Sequence, residues 1–302
     1  MTKIQKANHE KELSERLLAR IKTGITVQEA LEKLSVQELI AVWERSRKEL
    51  EKENISEDDR KKINKGIRII EKRIPVRLAS QQKVYTLFDE FRHMPYFMPN
   101  CYVCLFTERE YAQQMSDRLA AYRRTVRVSS LEKAHLRAFY EQQFSLYGAK
   151  GIIIDVGQNA MAFPPDHFIS EKDYKVYDPK NPDLVRSLSM LQQEVKFGGD
   201  ANVIAQLRSE SVKYLSTAKF IMPLPFRAGK PNYLEVVKPG TKSPLAVPVF
   251  TDLAQYNIFY TNTTFQKRIM TVGDLSKIPP QLFTVNPGTL WFPVDKETLK
   301  KL

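Results

Sequence analysis

Apolar residues recur along this chain with two different periods, and the change of period comes near residue 76. Before it, Leu39, Val42 and Trp43, then Ile67, Ile70 and Ile74, return at three- and four-residue steps. That spacing lines one face of a helix. Start signals precede the runs. Thr26-Val27-Gln28-Glu29 and Ser35-Val36-Gln37-Glu38 are capping boxes, in which the hydroxyl accepts from an early backbone N–H and the Glu reaches back to the cap. Ser56-Glu57-Asp58-Asp59 is a third start, its acids opposing the helix dipole. Residues 1–75 are therefore expected to be all-helical, with their Lys and Glu on a solvated outer face.

From residue 76 short apolar runs alternate with helical stretches. A helix is expected over 84–91 and a strand over 102–106. Thr107-Glu108-Arg109-Glu110 reads as a further capping box that turns the strand into a helix carrying Tyr111, Met115 and Leu119. A strand over 125–128 follows, and Ser129 or Ser130 caps a helix holding Leu136, Phe139 and Tyr140. Residues 151–154 read as a buried strand closed by a turn at Asp155-Val156-Gly157.

This series occurs twice. Phe106-Thr107-Glu108 and Phe250-Thr251-Asp252 each follow an apolar run, Val103-Cys104-Leu105 and Val247-Pro248-Val249, 144 residues apart. The same offset matches Val128 and Leu131 with Val272 and Leu275. Further on, Asp155-Val156-Gly157 answers to Asn286-Pro287-Gly288, and Phe163-Pro164-Pro165-Asp166 to Phe292-Pro293-Val294-Asp295. The second copy is shorter, with Pro279-Pro280 cutting its second helix. Asp274 is expected to cap that helix, and 220–224 with 233–237 to form an added hairpin. Helices near 183–196 and 201–214, parted by Gly198-Gly199, link and brace the copies. The expected divisions are 1–75, a helical segment; 76–170, the first repeated domain; 171–215, a helical linker; and 216–302, the second.

A hydrophobic strand ending in Phe-Thr-acid, then a strand stopped by Asn-Pro-Gly, resembles the SseB (enhanced serine sensitivity) domain. The second copy carries the resemblance best, in Val247-Pro248-Val249-Phe250-Thr251-Asp252 and Val285-Asn286-Pro287-Gly288; the first departs from it at Cys104 and Asp155-Val156. The resemblance implies a compact domain of bacterial proteins with no catalytic residues to carry over. The fold class expected is α+β: two small sandwich-like SseB-type domains with mixed sheets, behind an all-helical N-terminal segment.

Composition adds limits. A 42% hydrophobic content is enough for two cores in 302 residues. Two cysteines exclude a disulfide framework and fit a reducing compartment. No apolar run reaches the roughly 18 residues of a membrane span, and no signal-peptide pattern follows Met1, so a cytoplasmic protein is expected. The charge of +12, from 47 Lys and Arg against 35 Asp and Glu, favours acidic partners.

The candidate chemistry is sparse. Cys101-Tyr102-Val103-Cys104 has C-x-x-C spacing, but i and i+3 of a strand point to opposite faces, and zinc lacks a second ligand pair. His9, His93, His135 and His167 are scattered, and no metal or cofactor is expected. Thr107 and Thr251, with Asp166 and Asp295, read as caps rather than as a repeated polar site. Arg118, Tyr122, Arg123, Arg124 and Arg127 form a dense basic cluster with an aromatic, the candidate interaction surface, although it spans a helix end and a strand. The function expected is a non-enzymatic interaction or regulatory protein with another protein as partner. The alternatives are nucleic-acid binding through a basic surface and an enzyme whose site assembles only in the fold.

Overall fold

The computed structural model describes residues 3–23, 28–90, 94–170, 179–227, 230–242, 244–261 and 265–302. The fold is α+β, and it opens with helices: α1 (Lys3–Lys22), α2 (Gln28–Glu32), α3 (Val36–Leu50) and α4 (Glu57–Ser80). Ser35 caps α3 as expected, accepting from the Glu38 N–H while the Glu38 carboxylate accepts from the Ser35 N–H. Ser56 caps α4. The Thr26 box lies outside the described residues. α4 runs through Pro75 to Ser80, crossing the boundary expected at 75.

The first sheet is built from β1 (Lys83–Asp89), β2 (Tyr102–Phe106), β3 (Val126–Glu132), β4 (Gly151–Ile154) and β5 (Met161–Phe163), in the order β3-β1-β2-β4-β5. α5 (Arg109–Ala121) follows β2, and α6 (Leu136–Glu141) lies between β3 and β4. β2 and β4 are parallel; the other neighbours are antiparallel. Two expectations fail here. Residues 84–91 were to be a helix, but Val84, Tyr85, Thr86 and Phe88 are β-branched or aromatic and belong to β1. Ser129 and Ser130 do not cap a helix, because β3 carries both as far as Glu132.

α7 (Pro182–Phe197) and α8 (Ala201–Ser216) come next, parted by Gly198, whose left-handed φ of 65° ends α7. Then follow β6 (Lys219–Leu224), β7 (Phe226–Arg227), β8 (Lys230–Pro231), β9 (Val247–Val249), α9 (Leu253–Phe259), β10 (Gln266–Thr271), α10 (Val272–Lys277), β11 (Leu282–Val285), β12 (Phe292–Asp295) and α11 (Lys296–Lys300). β6 pairs with β10, and Ile221 exchanges both backbone bonds with Phe250 at the end of β9. β9 runs parallel to β11, which pairs antiparallel with β12. The strand order is thus β10-β6-β9-β11-β12, matching the first sheet strand for strand and direction for direction.

The structure corrects the details of the second copy. The 220–224 segment does not form a hairpin with 233–237; β6 takes β10 as its partner, and Val236 bridges Ala246 instead. The constant offset also breaks, since Val128 and Leu131 lie in β3 while Val272 and Leu275 lie in α10. Register makes Lys267 the counterpart of Val128, because Thr271 faces Lys219 as Glu132 faces Lys83. Asp274 is the third residue of its helix, and Thr271 is the cap.

The repeat extends beyond the sheets. A helical pair precedes each, α3–α4 the first and α7–α8 the second, and the pairs dock alike. Gln37 of α3 donates to Thr107, and Asn181, which begins α7, donates to the Thr251 carbonyl at 2.7 Å; both bonds span 70 residues. α7 also reaches back into the first copy. Gln193 accepts from the Phe97 N–H, and Arg186 donates to the Gly148 carbonyl at 2.8 Å. One continuous apolar core runs from the N-terminal helices across one face of both sheets. Smaller clusters back the other face, one around Phe106 and Leu119 and one around Phe250 and Tyr256.

Candidate functional site

The chemistry shared by the two copies lies where the parallel strands end. In the first, β4 stops at Asp155, whose φ of 50° turns the chain sharply; in the second, β11 stops at Asn286, with φ 48°. Asp and Asn tolerate this left-handed region better than other side chains except glycine. Each turn residue extends the ladder, Asp155 N–H donating to the Leu105 carbonyl and Asn286 N–H to that of Val249. Each then pins the neighbouring strand end through a buried threonine.

The two pins differ in the direction of one hydrogen bond. Asp155 only accepts: from the Thr107 N–H at 2.8 Å and from the Thr107 hydroxyl at 2.6 Å. The hydroxyl oxygen is left to accept from Gln37 Nε2. Asn286 accepts from the Thr251 N–H at 3.0 Å but donates to Thr251 Oγ1 at 2.8 Å. The Thr251 hydroxyl therefore turns its proton to Asp252 Oδ2 at 2.8 Å. Asp252 also caps α9 by accepting from the Gln255 N–H. Burial holds the Asp252 carboxyl above its ordinary range, against the lowering effect of these bonds.

Thr107 and Thr251 are thus not helix caps. Glu108 stands at the start of α5 without a side-chain bond, and the Thr107 side chain is turned inward to Asp155. Asp295 does cap α11, whereas Asp166 caps nothing and meets His167 at 3.2 Å. Two hollows lie on the N-terminal helices, and a third lies between those helices and Asn159, in the turn that follows Asp155. What this arrangement does is hold strand ends together.

The arginine cluster is dispersed. Arg118 Nη1 donates to the Gly157 carbonyl at 3.2 Å. Arg124 forms a two-pronged pair with Glu194 of α7, both contacts 2.7 Å, and lies over the Phe197 ring. Val126 and Val128 pack toward α5, so Arg127 between them projects from the opposite face of the strand. Tyr122 and Arg123 remain outward. Tyr122 is 76% exposed, and Arg123 holds φ 58° at the turn that ends α5.

Cys104 is buried in the cluster beneath α5, and burial pushes its thiol up to about 12. Cys101 packs toward the main core on the other face, so the two sulfurs do not form a dithiol site. His9 lies 3.4 Å from Glu38, His135 is exposed, and His93 lies outside the described residues. Among the described residues no group of His, Cys, Asp and Glu is placed to hold a metal ion, and no helix is long and apolar enough to cross a membrane.

One surface was not singled out in the sequence. On α4, Lys61, Lys65, Arg68 and Lys72 are exposed along one face and line, with Asn64 and Ile69, an open hollow of about 610 Å³. The 4-3-4 spacing of those cations was the available signal, hidden among the paired charges of the same helix. No family model, curated protein or solved structure matches the chain.

Proposed function

We propose that this chain is a non-enzymatic interaction protein built on tandem SseB-like domains, and that its first copy offers Tyr122 and Arg123 to a partner protein. The observation that carries this reading is a tyrosine 76% exposed at the end of α5, beside an arginine in left-handed backbone. Tyrosine and arginine are the residue types that most often anchor protein interfaces. The helix end that bears them is held by the Arg124–Glu194 pair and the Arg118–Gly157 bond, so little ordering is left for the moment of binding. α9 spans 7 residues against 13 in α5, and the tyrosine that ends it, Tyr260, packs on Phe250 and Phe259 where Tyr122 stands outward. The blocks around Phe250-Thr251-Asp252 and Asn286-Pro287-Gly288 support the SseB assignment and with it a bacterial setting, and the two cysteines suit the cytoplasm.

Affinity capture with the full chain, after nuclease treatment, tests this. A defined protein should be retained by the wild type and lost from a Tyr122→Ala/Arg123→Glu variant that melts at a similar temperature. Recovery of the same proteins by both would overturn the assignment.

A further inference from the structure

The geometry points to a second binding site, on the outer face of α4, for the phosphate backbone of double-stranded DNA. Lys61, Lys65, Arg68 and Lys72 occupy that face at i, i+4, i+7 and i+11, a row about 16 Å long at the rise of a helix. None of the four stands in an ion pair among the described residues, although their neighbours do: Lys62 meets Asp58 at 2.5 Å and Arg73 meets Glu32 of α2 at 2.8 Å. Acids adjoin the row only at its Lys61 end, where Glu57 and Asp58 precede it by one turn, and Glu71 is the one acid within its length. Glu57, Asp58 and Asp59 sit in the first turn, and Glu71 is turned to Trp43, accepting from its indole N–H at 3.0 Å.

The scaffold does not require these charges. α8 holds the corresponding place in the second copy, and at the same offset of 144 residues it carries exposed Ala205, Ser209, Val212 and Ser216, its own exposed cations Arg208 and Lys213 standing where α4 has Asn64 and Ile69. A second hollow of about 430 Å³, between α1 and α2, adds Arg16, Arg20 and Lys33 to the positive field of the N-terminal helices.

The make-up of the row selects the partner. Protein interfaces bury aromatic and apolar anchors and are depleted in lysine, and α4 has no aromatic residue. Single-stranded nucleic acid is held by stacking on aromatic rings. Membrane-surface helices insert an apolar face, whereas Ile63, Ile67, Ile70 and Ile74 of α4 are already buried in the core. A duplex carries one charge per roughly 1.7 Å, and its B-form major groove, about 12 Å wide, admits a helix. Contacts made by lysine and arginine to phosphate carry no base reading.

The test is fluorescence anisotropy of the full chain with a labelled 20-base-pair DNA duplex between 50 and 200 mM salt. Duplex RNA, a 20-nucleotide single strand and a poly-glutamate peptide serve as the other probes. With about four phosphates neutralised, log K should fall against log salt with a slope of about −3.6. Lys65→Ala/Lys72→Ala should reduce that slope by about 2 without moving the melting temperature, and Lys213→Ala on α8 should leave it unchanged. Failure to bind the DNA duplex at 50 mM salt would overturn the site. So would an unchanged slope in the double variant, or tighter binding of RNA, single strand or poly-glutamate than of the DNA duplex. The capture experiment on Tyr122 and Arg123 is read separately, so either assignment can fail alone.

Discussion

Asp155 grips Thr107 with both carboxylate oxygens, one on the backbone N–H and one on the hydroxyl. Asn286 grips Thr251 with one acceptor and one donor, so the two turns are not interchangeable. Asp155→Asn turns an N–H₂ toward a Thr107 oxygen that already accepts from Gln37, and leaves the hydroxyl proton without an acceptor. Urea denaturation should show a loss of about 1–2 kcal/mol. Adding Gln37→Glu supplies an acceptor, as Asp252 does in the second copy, and should recover part of it. The reverse change, Asn286→Asp, makes two acceptors compete for one Thr251 proton beside a buried carboxylate. It should cost about 2–3 kcal/mol at pH 7 and less at pH 5.

Asp252 sets a pH dependence of definite sign. Burial raises its folded-state pKa, so within the window above the unfolded value of about 3.9 the folded state binds the proton more tightly. The resulting stabilisation is complete below that value and is lost as pH rises through the folded one. The stability of the wild type relative to Asp252→Asn should therefore be greatest near pH 4 and decline toward pH 7. Paired urea titrations at several pH values would show an opposite or flat trend if Asp252 were solvated.

Arg124 and Glu194 couple the end of α5 to α7 through two bonds of 2.7 Å, with side chains only 22% and 15% exposed. A double-mutant cycle with Arg124→Met and Glu194→Gln should give a coupling of about 1–3 kcal/mol. A value near zero would mean that water replaces the pair.

Arg123 occupies backbone that glycine enters freely. Arg123→Gly relieves a conformational penalty of about 1–2 kcal/mol, offset in part by the greater freedom of glycine in the unfolded chain. Thermal melting should show a net gain of about 0.5–1 kcal/mol, with weaker capture of the partner.

Cys104 carries a thiol held up to about 12 by burial, and thiolate is the reactive form. Iodoacetamide at pH 8 should label Cys101 in the folded protein and Cys104 only as the protein unfolds, as mass spectrometry of a urea series would reveal.

The elements governed by local chemistry were legible in the sequence. Ser35 and Ser56 cap as read, and Phe250-Thr251 and Asn286-Pro287-Gly288 mark a strand end and a turn. What local signals do not encode is the destination of a side chain. Thr107 has the setting of a cap, and only the approach of β4 offers it a buried carboxylate instead. The segment expected to be a helix over 84–91 has helical length, yet its residues 84–89 lie between β2 and β3 in the sheet. The alignment at constant offset failed for a related reason: α9 is shorter than α5, which moves Val272 out of the strand register that Val128 keeps. Of the arginine cluster, Arg124 was committed to a residue 70 positions away, and that partner has no signature near it in the chain.

α7 is the first helix of one half and part of the packing of the other. Its beginning is bonded to Thr251, and its end to Phe97 and Arg124. A cut in the chain just before it would deprive the upstream fragment of a wall, and a cut just after it would deprive the downstream fragment of its opening helix. The halves should therefore melt in one transition, and neither is expected to survive as an independently expressed fragment. What began as two equal modules has become an obligate pair.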